Sequence, residues 1–238
     1  MDKTIFLAGA AGAIGKRLVP LLLDAGYQVF GTTRSPQRAA QLSAEGAVPV
    51  VVDVFDAAAL SRALRDASPG IVINQLTDLP LGLDPALMPE ARLRNARIRE
   101  LGTQNLVAAA RAAGARRFIS QSIAWIYAPG PLPHTENDPL DGSSQSVLSL
   151  EHQTLESPPL QGIVLRYGLF YGPGTGTDRP ADNTIIVHID AASLAALLAI
   201  ERAAPGIYNI VESGESVSPD KALRQLGWNP GFRLTLSH

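Results

Sequence analysis

Three glycines near the amino terminus have the spacing of a phosphate-binding loop. Gly9, Gly12 and Gly15 follow the apolar run Thr4–Ala8 at GxxGxxG spacing and lead into a helical pattern. A loop of this kind between a strand and a helix presents free backbone N–H groups and the positive end of the helix dipole, so a pyrophosphate can bind there. Glycine also serves ordinary tight turns, and the loop alone leaves that alternative open.

The residue that ends the second apolar run is basic. Arg34 follows residues 27–33 and has Ser35 and Arg38 beside it. At this position of a dinucleotide-binding fold an acidic residue bonds the ribose 2′-hydroxyl, whereas an arginine can pair with a 2′-phosphate. No acidic residue occurs within residues 27–44. Arg34 therefore favours NADP over NAD.

The residue that ends the third apolar run is acidic. Asp53 follows residues 48–52 and is placed to accept a hydrogen bond from an adenine amino group. The alternative is that Asp53 caps the helix that follows, because aspartate is a favoured N-cap residue. Both interpretations stay open at this point.

Strand-like and helix-like segments alternate from the start of the chain, which is typical of a parallel sheet built from βαβ units. Later strands are predicted at residues 71–75, 116–122, 162–167, 184–187 and 207–210, and a long helix at 89–113. In an open sheet of this class ligands bind at the carboxyl ends of the strands, where the glycine loop, Arg34 and Asp53 fall. We predict a Rossmann-like, doubly wound α/β fold with a mainly parallel seven-stranded sheet.

Length and composition limit the organisation of the chain. Its 238 residues, 46% of them hydrophobic, suit one α/β domain with a small appendage. We expect residues 1–238 to form a single domain, with residues from about 174 to 238 contributing a reduced carboxyl-terminal substrate lobe. The net charge of -2 provides no basic field for a nucleic-acid partner.

Several kinds of site are not expected from this composition. Cysteine is absent and the four histidines lack metal-ligand spacing, so we expect neither thiolate chemistry nor a metal. No apolar segment approaches the roughly 20 residues needed to span a bilayer. We therefore expect no membrane partner and a cytoplasmic location.

Motifs spread over most of the chain resemble those of the short-chain dehydrogenase/reductase superfamily, in its extended or atypical branch of NAD(P)-dependent epimerase/dehydratase-like proteins. In chain order they are GAAGAIG at 9–15, DV at 53–54, LGTQNL at 101–106, SQSIAWIY at 120–127, HTENDP at 134–139, LRYG through YGPG at 165–174, HID at 188–190, GIYNI at 206–210 and LGWNP at 226–230. Their order is far more specific than any one motif. The resemblance implies an NADP cofactor, a small-molecule substrate and a homodimer formed through the helices that begin near Pro89 and Ser146.

The resemblance and the strand-end chemistry together predict a cofactor site. Its predicted residues lie in the glycine loop and at the ends of the strands: Gly9, Ala11, Gly12, Ala13, Ile14, Gly15, Arg34, Ser35, Arg38, Asp53, Val54, Gln75, Leu76, Thr77 and Tyr167.

The sequence departs from the superfamily at the catalytic positions. The superfamily uses a tyrosine to pass the proton and a lysine four residues later to hold the nicotinamide ribose and lower the tyrosine pKa. In the segment that aligns, Val147 stands in the tyrosine position and Glu151 in the lysine position. Valine has no proton to give, and a carboxylate raises the pKa of a nearby phenol.

Few residues can replace the missing pair. We predict that Ser122 polarises a carbonyl and that Tyr127 is the replacement acid, although its ring could instead pack under residues 128–133. His152 is either a proton shuttle or a surface residue. Arg99, at a position where the superfamily has an asparagine, either reaches an anionic substrate or only solvates its helix.

These predictions lead to a ranked set of functions. The first is an NADP(H)-dependent oxidoreductase or epimerase-like enzyme acting on a small carbonyl or hydroxyl substrate, with Tyr127 or bound water supplying the proton. The alternative is a non-catalytic NADP(H)-binding redox sensor or scaffold, which the missing tyrosine and lysine favour. Transient use of the cofactor for an isomerisation or elimination cannot be separated from the first by sequence.

Overall fold

The computed structural model describes residues 3–178, 185–212 and 215–234. Its strands are β1 (Thr4–Ala8), β2 (Gln28–Thr33), β3 (Val48–Val51), β4 (Ile71–Asn74), β5 (Arg117–Ile123), β6 (Gln161–Tyr167), β7 (Leu169–Tyr171), β8 (Ile186–His188) and β9 (Gly206–Ile210). Seven of them form one sheet in the order β3-β2-β1-β4-β5-β6-β9, and every neighbouring pair is parallel. The prediction of a seven-stranded, Rossmann-like α/β fold is confirmed.

Helices cover both faces of the sheet. They are α1 (Ala13–Asp24), α2 (Pro36–Ala44), α3 (Ala57–Ala67), α4 (Met88–Arg97), α5 (Thr103–Ala112), α6 (Gln145–Leu155), α7 (Ile189–Arg202) and α8 (Asp220–Leu226). Helices α1 and α7 pack against each other on one face, while α3 and α5 pack together on the other, with α6 beside α5. Because both faces are buried, the central strand β1 is a nearly continuous apolar run.

Strand β1 shows how the two layers share one segment. Ile5 and Leu7 belong to the hydrophobic cluster under α1 and α7, whereas Phe6 and Ala8 belong to the cluster under α3 and α5. All four side chains are buried. The buried strand therefore fixes the position of the glycine loop, which follows it directly at the carboxyl edge of the sheet.

The long helix predicted over residues 89–113 is interrupted. A π turn at Ile98–Gly102 separates α4 from α5. Gly102 in this turn lies against Val54, because a Cβ added to Gly102 would be 3.2 Å from a Val54 methyl. Such turns insert one residue into a helix and frequently occur at functional sites.

The segment after β6 differs from the main sheet. Strands β7 and β8 pair in parallel as a separate two-stranded sheet. The predicted strand at 184–187 corresponds to β8, and its first residue, Thr184, lies outside the described residues. The single-domain organisation with a small carboxyl-terminal lobe stays a prediction. Across the ranges that the structure describes, no helix is long and apolar enough to cross a membrane.

Candidate cofactor cleft and active site

The glycine loop has a conformation that larger residues could not adopt. Gly9 has a φ of 88°, and a Cβ there would lie 2.7 Å from the carbonyl oxygen of Gln75. A Cβ on Gly15 would collide with the carbonyl of Gly9. The Gly9 N–H donates to the hydroxyl of Thr32 at 3.1 Å, which ties the loop to β2. The glycines therefore allow α1 to start directly against the ends of β1 and β4.

The amino terminus of α1 is open to an anion. Gly12 is the N-cap and provides no side-chain hydrogen bond, and the first turn contains no acidic residue. The first N–H groups of a helix lack partners within the helix, and its dipole places partial positive charge at this end. The loop and the helix together have the geometry of an anion site, and their role as the pyrophosphate site stays a prediction.

A cleft runs from this loop across the carboxyl ends of β2, β3 and β4. Its lining includes these predicted cofactor residues: Gly9, Ala11, Gly12, Arg34, Arg38, Asp53, Val54, Gln75, Leu76 and Thr77. Sequence reasoning missed further lining residues: Ala8, Thr32, Thr33, Val52, Phe55, Leu60 and Ile98. Thr32 and Thr33 are the last residues of β2, so the rule that ligands bind at strand ends could have predicted them as lining residues. The presence of Ile98 in the lining could not be predicted, because the π turn that carries it lies far along the chain from the strands that form the rest of the cleft.

The other five predicted cofactor residues lie outside the lining of the cleft. Ala13, Ile14 and Gly15 form the first turn of α1, behind the loop. Ser35 is the N-cap of α2, where its hydroxyl accepts a hydrogen bond from the Arg38 N–H at 3.3 Å. Tyr167 is buried at the end of β6. Their roles toward a cofactor stay predictions.

The two interpretations of Asp53 can be compared with the geometry. Asp56, not Asp53, is the N-cap of α3, and its carboxylate accepts from the Ala59 N–H at 2.9 Å. The capping interpretation of Asp53 is therefore wrong. Asp53 is exposed in the cleft, and its Oδ1 accepts from the Phe55 N–H at 2.9 Å. That bond fixes the side chain of a residue that lines the cleft.

Positive charge is concentrated at one end of the cleft. Arg34 and Arg38 are both exposed there, and within the described residues neither forms an ion pair. Arg97 covers the ring of Phe55, with its guanidinium carbon 4.3 Å from the ring centre. A cation over an aromatic face is attracted by the ring quadrupole and holds that wall in place.

Three strands that end near one another carry buried polar atoms without partners. Within the part of the chain that the structure describes, both amide atoms of Gln75, which lines the cleft, have no hydrogen-bond partner, and the same holds for the hydroxyl of Tyr167 and the side-chain oxygen of Gln121. Burial raises the pKa of the Tyr167 hydroxyl, and the nearby Gln75 amide opposes that shift. Buried polar groups are normally satisfied, so these atoms at the ends of β4, β5 and β6 are suited to a polar ligand group or ordered water.

A buried ion pair includes Glu151, the residue that the sequence predicts to align with the superfamily's lysine. Glu151 of α6 and Arg166 of β6 are 4% and 1% exposed. Arg166 donates from Nε to Oε1 at 2.9 Å and from Nη2 to Oε2 at 2.6 Å. Burial alone would lower the pKa of Arg166, but the bonds to Glu151 outweigh it and raise that pKa. The carboxylate is thus neutralised by a bidentate partner inside the protein.

Both predicted catalytic hydroxyls belong to this network. Ser122 donates to Glu151 Oε1 at 2.6 Å. Tyr127 accepts from Arg166 Nη1 at 2.9 Å and donates to Asn209 Oδ1 at 2.6 Å. Burial raises the Tyr127 pKa, against the opposite effect of Arg166 and Asn209, so the phenol stays protonated near neutral pH. The structure brings these residues together, and their catalytic roles stay predictions.

Other residues of α6 and its surroundings complete the site. Val147 is buried one turn before Glu151 and contributes only apolar surface. His152 is exposed. The ring of Tyr127 stacks on His134, with ring centres 5.0 Å apart, rather than standing free in solvent. The assignment of Val147 and Glu151 to the tyrosine and lysine positions stays a prediction.

Comparison with known proteins identifies the family. The family model described as NAD(P)H-binding matches residues 9–199, which is most of the chain. The chain belongs to this NAD(P)H-binding family. A curated relative, the 3-diazoavenalumate denitrifying reductase of a Streptomyces species, is 36% identical across 98% of this chain and 81% of its own length.

Solved structures support the same NAD(P)H-binding fold. The UDP-glucose 4-epimerase of Thermus thermophilus, solved with NAD, has a TM-score of 0.79 at 20% identity and covers 97% of this chain and 95% of its own. The dTDP-glucose 4,6-dehydratase of Streptomyces venezuelae, solved with NAD, has a TM-score of 0.79 at 19% identity, covering 97% and 92%. The resemblance to the epimerase/dehydratase branch is thereby confirmed at the level of fold.

The residues of this NAD(P)H-binding protein fit a dinucleotide. The uncapped start of α1 suits a pyrophosphate, Asp53 suits an adenine amino group, and the unpartnered Gln75 amide lies where the strands end. The prediction of an NAD(P)-binding oxidoreductase or epimerase-like enzyme is confirmed in that general form.

Proposed function

We propose that this protein is an NADP(H)-dependent reductase of a small substrate. One observation carries the proposal: the cofactor cleft ends beside a buried network that contains Ser122 and Tyr127, at the shared carboxyl edge of β4, β5 and β6. A bound NADPH supplies a hydride. The chain binds the dinucleotide and places the substrate against this network.

Two arginines support NADP as the preferred form. Arg34 and Arg38 lie in the cleft at the end of β2, where a 2′-phosphate of the adenosine ribose would be held. Arginine forms strong, charge-assisted hydrogen bonds to phosphate. An acidic residue that would repel this phosphate and bond a 2′-hydroxyl is absent from residues 27–44.

The network limits how a proton can reach a substrate. The Ser122 hydroxyl points to Glu151 and the Tyr127 hydroxyl points to Asn209. To polarise a carbonyl, Ser122 has to turn its hydrogen away from Glu151. Reduction of a carbonyl by this chain therefore requires that rotation, with Tyr127 or bound water supplying the proton.

A second acceptor class needs no protein proton. The name of the Streptomyces relative joins a diazo substrate to a denitrifying reduction. When an arenediazonium ion accepts a hydride at its ring carbon, a C–H bond forms, the C–N bond breaks, and dinitrogen leaves with the electron pair of that bond. The reaction consumes no proton. The absence of a free proton donor at Val147 favours such an acceptor for this chain.

The test measures oxidation of NADPH with a panel of aryl aldehydes and with an arenediazonium salt, each against an enzyme-free control. We expect enzyme-dependent oxidation with at least one class. With NADPH that carries deuterium at the transferred position, the label should appear in the product. If neither class causes oxidation above the control, the reductase proposal fails.

The turnover assay together with a binding measurement distinguishes the non-catalytic alternative from a reductase. A redox sensor would show no turnover, but it should bind NADPH and NADP with affinities that differ by about tenfold or more, about 1.4 kcal/mol. The observation that favours it is the burial of Val147 and Glu151 where a proton donor and a lysine would stand.

A further inference from the structure

Arg99 stands in a turn that contacts both the cofactor cleft and helix α6 of the buried network. It belongs to the π turn Ile98–Gly102, whose first residue, Ile98, lines the cleft. The turn is fastened to α6 by a hydrogen bond from the Gln153 side chain to the Glu100 carbonyl at 3.2 Å. Arg99 is close enough to Glu151 for that carboxylate to affect its pKa.

The guanidinium of Arg99 has no acceptor of its own. It is half-buried, and no hydrogen bond or ion pair joins it to another of the residues that the structure describes. Burial lowers its pKa, and Glu151 only partly opposes that shift. A partly desolvated cation without a partner is unfavourable, and a bound anion would relieve this cost.

Glu151 is not a free acceptor for the Arg99 guanidinium. Its Oε1 accepts from Ser122 and Arg166, and its Oε2 accepts from Arg166. The one charge shown to act on Arg99 is therefore a carboxylate that Arg166 already neutralises. His152 on α6 and Glu100 on the turn itself are exposed. One positive charge remains uncompensated beside the reacting centre.

We infer that Arg99 is an anion subsite that binds a carboxylate of the substrate. This inference rests on the reductase proposal and names the substrate class: a small acceptor that carries a carboxylate besides the group that is reduced. The planar guanidinium matches a carboxylate in a two-bond geometry that lysine cannot reproduce. Arg99 then orients the acceptor while the cofactor cleft lies on its other side.

The test is a binding measurement on the complex with NADP, which does not depend on turnover. Benzoate and benzamide are the probes, because they share a shape and differ in charge. We expect the protein to bind benzoate at least about tenfold more tightly than benzamide. In Arg99→Gln the two probes should bind equally, and Arg99→Lys should restore part of the preference.

Two controls keep the outcome interpretable. Arg111→Gln removes the same charge at an exposed site at the end of α5 and should leave the benzoate preference intact. The affinity for NADP should be the same in Arg99→Gln as in the natural protein, which also shows that the variant folds. Equal binding of both probes by the natural protein, or a preference that survives in Arg99→Gln, would overturn the inference. Failure of the aldehydes and diazonium salt to react would instead count against the reductase proposal.

Discussion

Glu151 and Arg166 are the residues on which the interior of the candidate active site depends. A carboxylate and a guanidinium this deeply buried are tolerated because each satisfies the other through two hydrogen bonds. The same pair positions Ser122 and Tyr127, which each bond one of its members. If Glu151 aligns with the superfamily's lysine as the sequence predicts, this chain has a neutralised pair at that position.

Breaking the buried pair should be costly. Arg166→Met leaves the Glu151 charge without a partner, so we expect the free energy of unfolding to fall by about 3–5 kcal/mol. The double variant Glu151→Leu/Arg166→Met removes both charges and should recover part of that loss. Urea unfolding measures each variant.

An exposed ion pair provides the control for this prediction. Arg224 and Asp220 on α8 are 3.7 Å apart and both largely exposed. Arg224→Met should change the unfolding free energy by only about 0–1 kcal/mol. A loss in Arg166→Met no larger than in Arg224→Met would show that the buried pair has no special role in stability.

The glycine loop permits a second prediction at the scale of single residues. Gly9→Ala places a Cβ in a left-handed conformation and against the Gln75 carbonyl, so it should lower both stability and NADP affinity. Gly114→Ala is the matched control, because Gly114 has a φ of 77° but nothing within 4 Å of the added atom. Its cost should be limited to the backbone strain, about 1–2 kcal/mol. Equal effects of the two substitutions on urea unfolding and NADP titration would contradict the proposed collision.

At the scale of elements, helix α7 begins with an unusual cap. His188 is its N-cap, and Nδ1 accepts from the Asp190 N–H at 3.2 Å, which requires an unprotonated nitrogen. Burial, followed by the charge of Arg233, lowers the His188 pKa from 6.5. As the pH falls, the imidazole takes up a proton in the unfolded chain before it does so in the folded protein. The stabilisation is therefore fully present above pH 6.5 and declines as the pH falls toward the lower pKa of the folded protein.

This cap predicts a pH-dependent stability. Between about pH 7.5 and about pH 5.5 the natural protein should lose more unfolding free energy than His188→Asn, whose amide oxygen can accept the same bond without titrating. Urea unfolding at the two pH values checks this. An identical loss in both proteins would show that His188 does not contribute to the pH dependence.

Helix α2 allows two roles of one residue to be separated. Ser35 caps the helix in the structure. The sequence also predicts that Ser35 contacts the 2′-phosphate of NADP. Loss of a cap costs about 0.5–2 kcal/mol, so Ser35→Ala should lower stability by that amount. If Ser35 serves only as the cap, calorimetric affinities for NADP and NAD should keep their ratio, whereas a selective loss of NADP affinity would assign it to the phosphate.

The elements also show what the sequence could predict. The order and type of the sheet strands follow from apolar runs that alternate with helical periodicity, and the cleft residues follow from the rule that ligands bind at strand ends. The π turn could not be predicted, since one inserted residue barely alters a helical pattern. The Glu151–Arg166 pair was also missed, because α6 and β6 meet only through the tertiary fold.

At the scale of the whole molecule, the cofactor cleft and the candidate catalytic network come from different sections of the chain. The strands from β1 to β4 supply the cofactor cleft, while β5, β6 and α6 supply the buried network. The π turn lies between them, with Ile98 in the cleft and Arg99 beside Glu151. The open sheet joins the two sections because all its parallel strands end at one edge.

We propose that this cleft binds NADP through the arginines at the end of β2. Calorimetric titration of the natural protein with NADPH and NADH tests it most directly, together with Arg34→Glu and with Arg111→Glu as a control for charge. We predict that NADPH binds at least about tenfold more tightly than NADH, about 1.4 kcal/mol, and that only Arg34→Glu abolishes this preference. Equal affinities in the natural protein, or an unchanged preference in Arg34→Glu, would show that the arginines at the end of β2 do not select NADP.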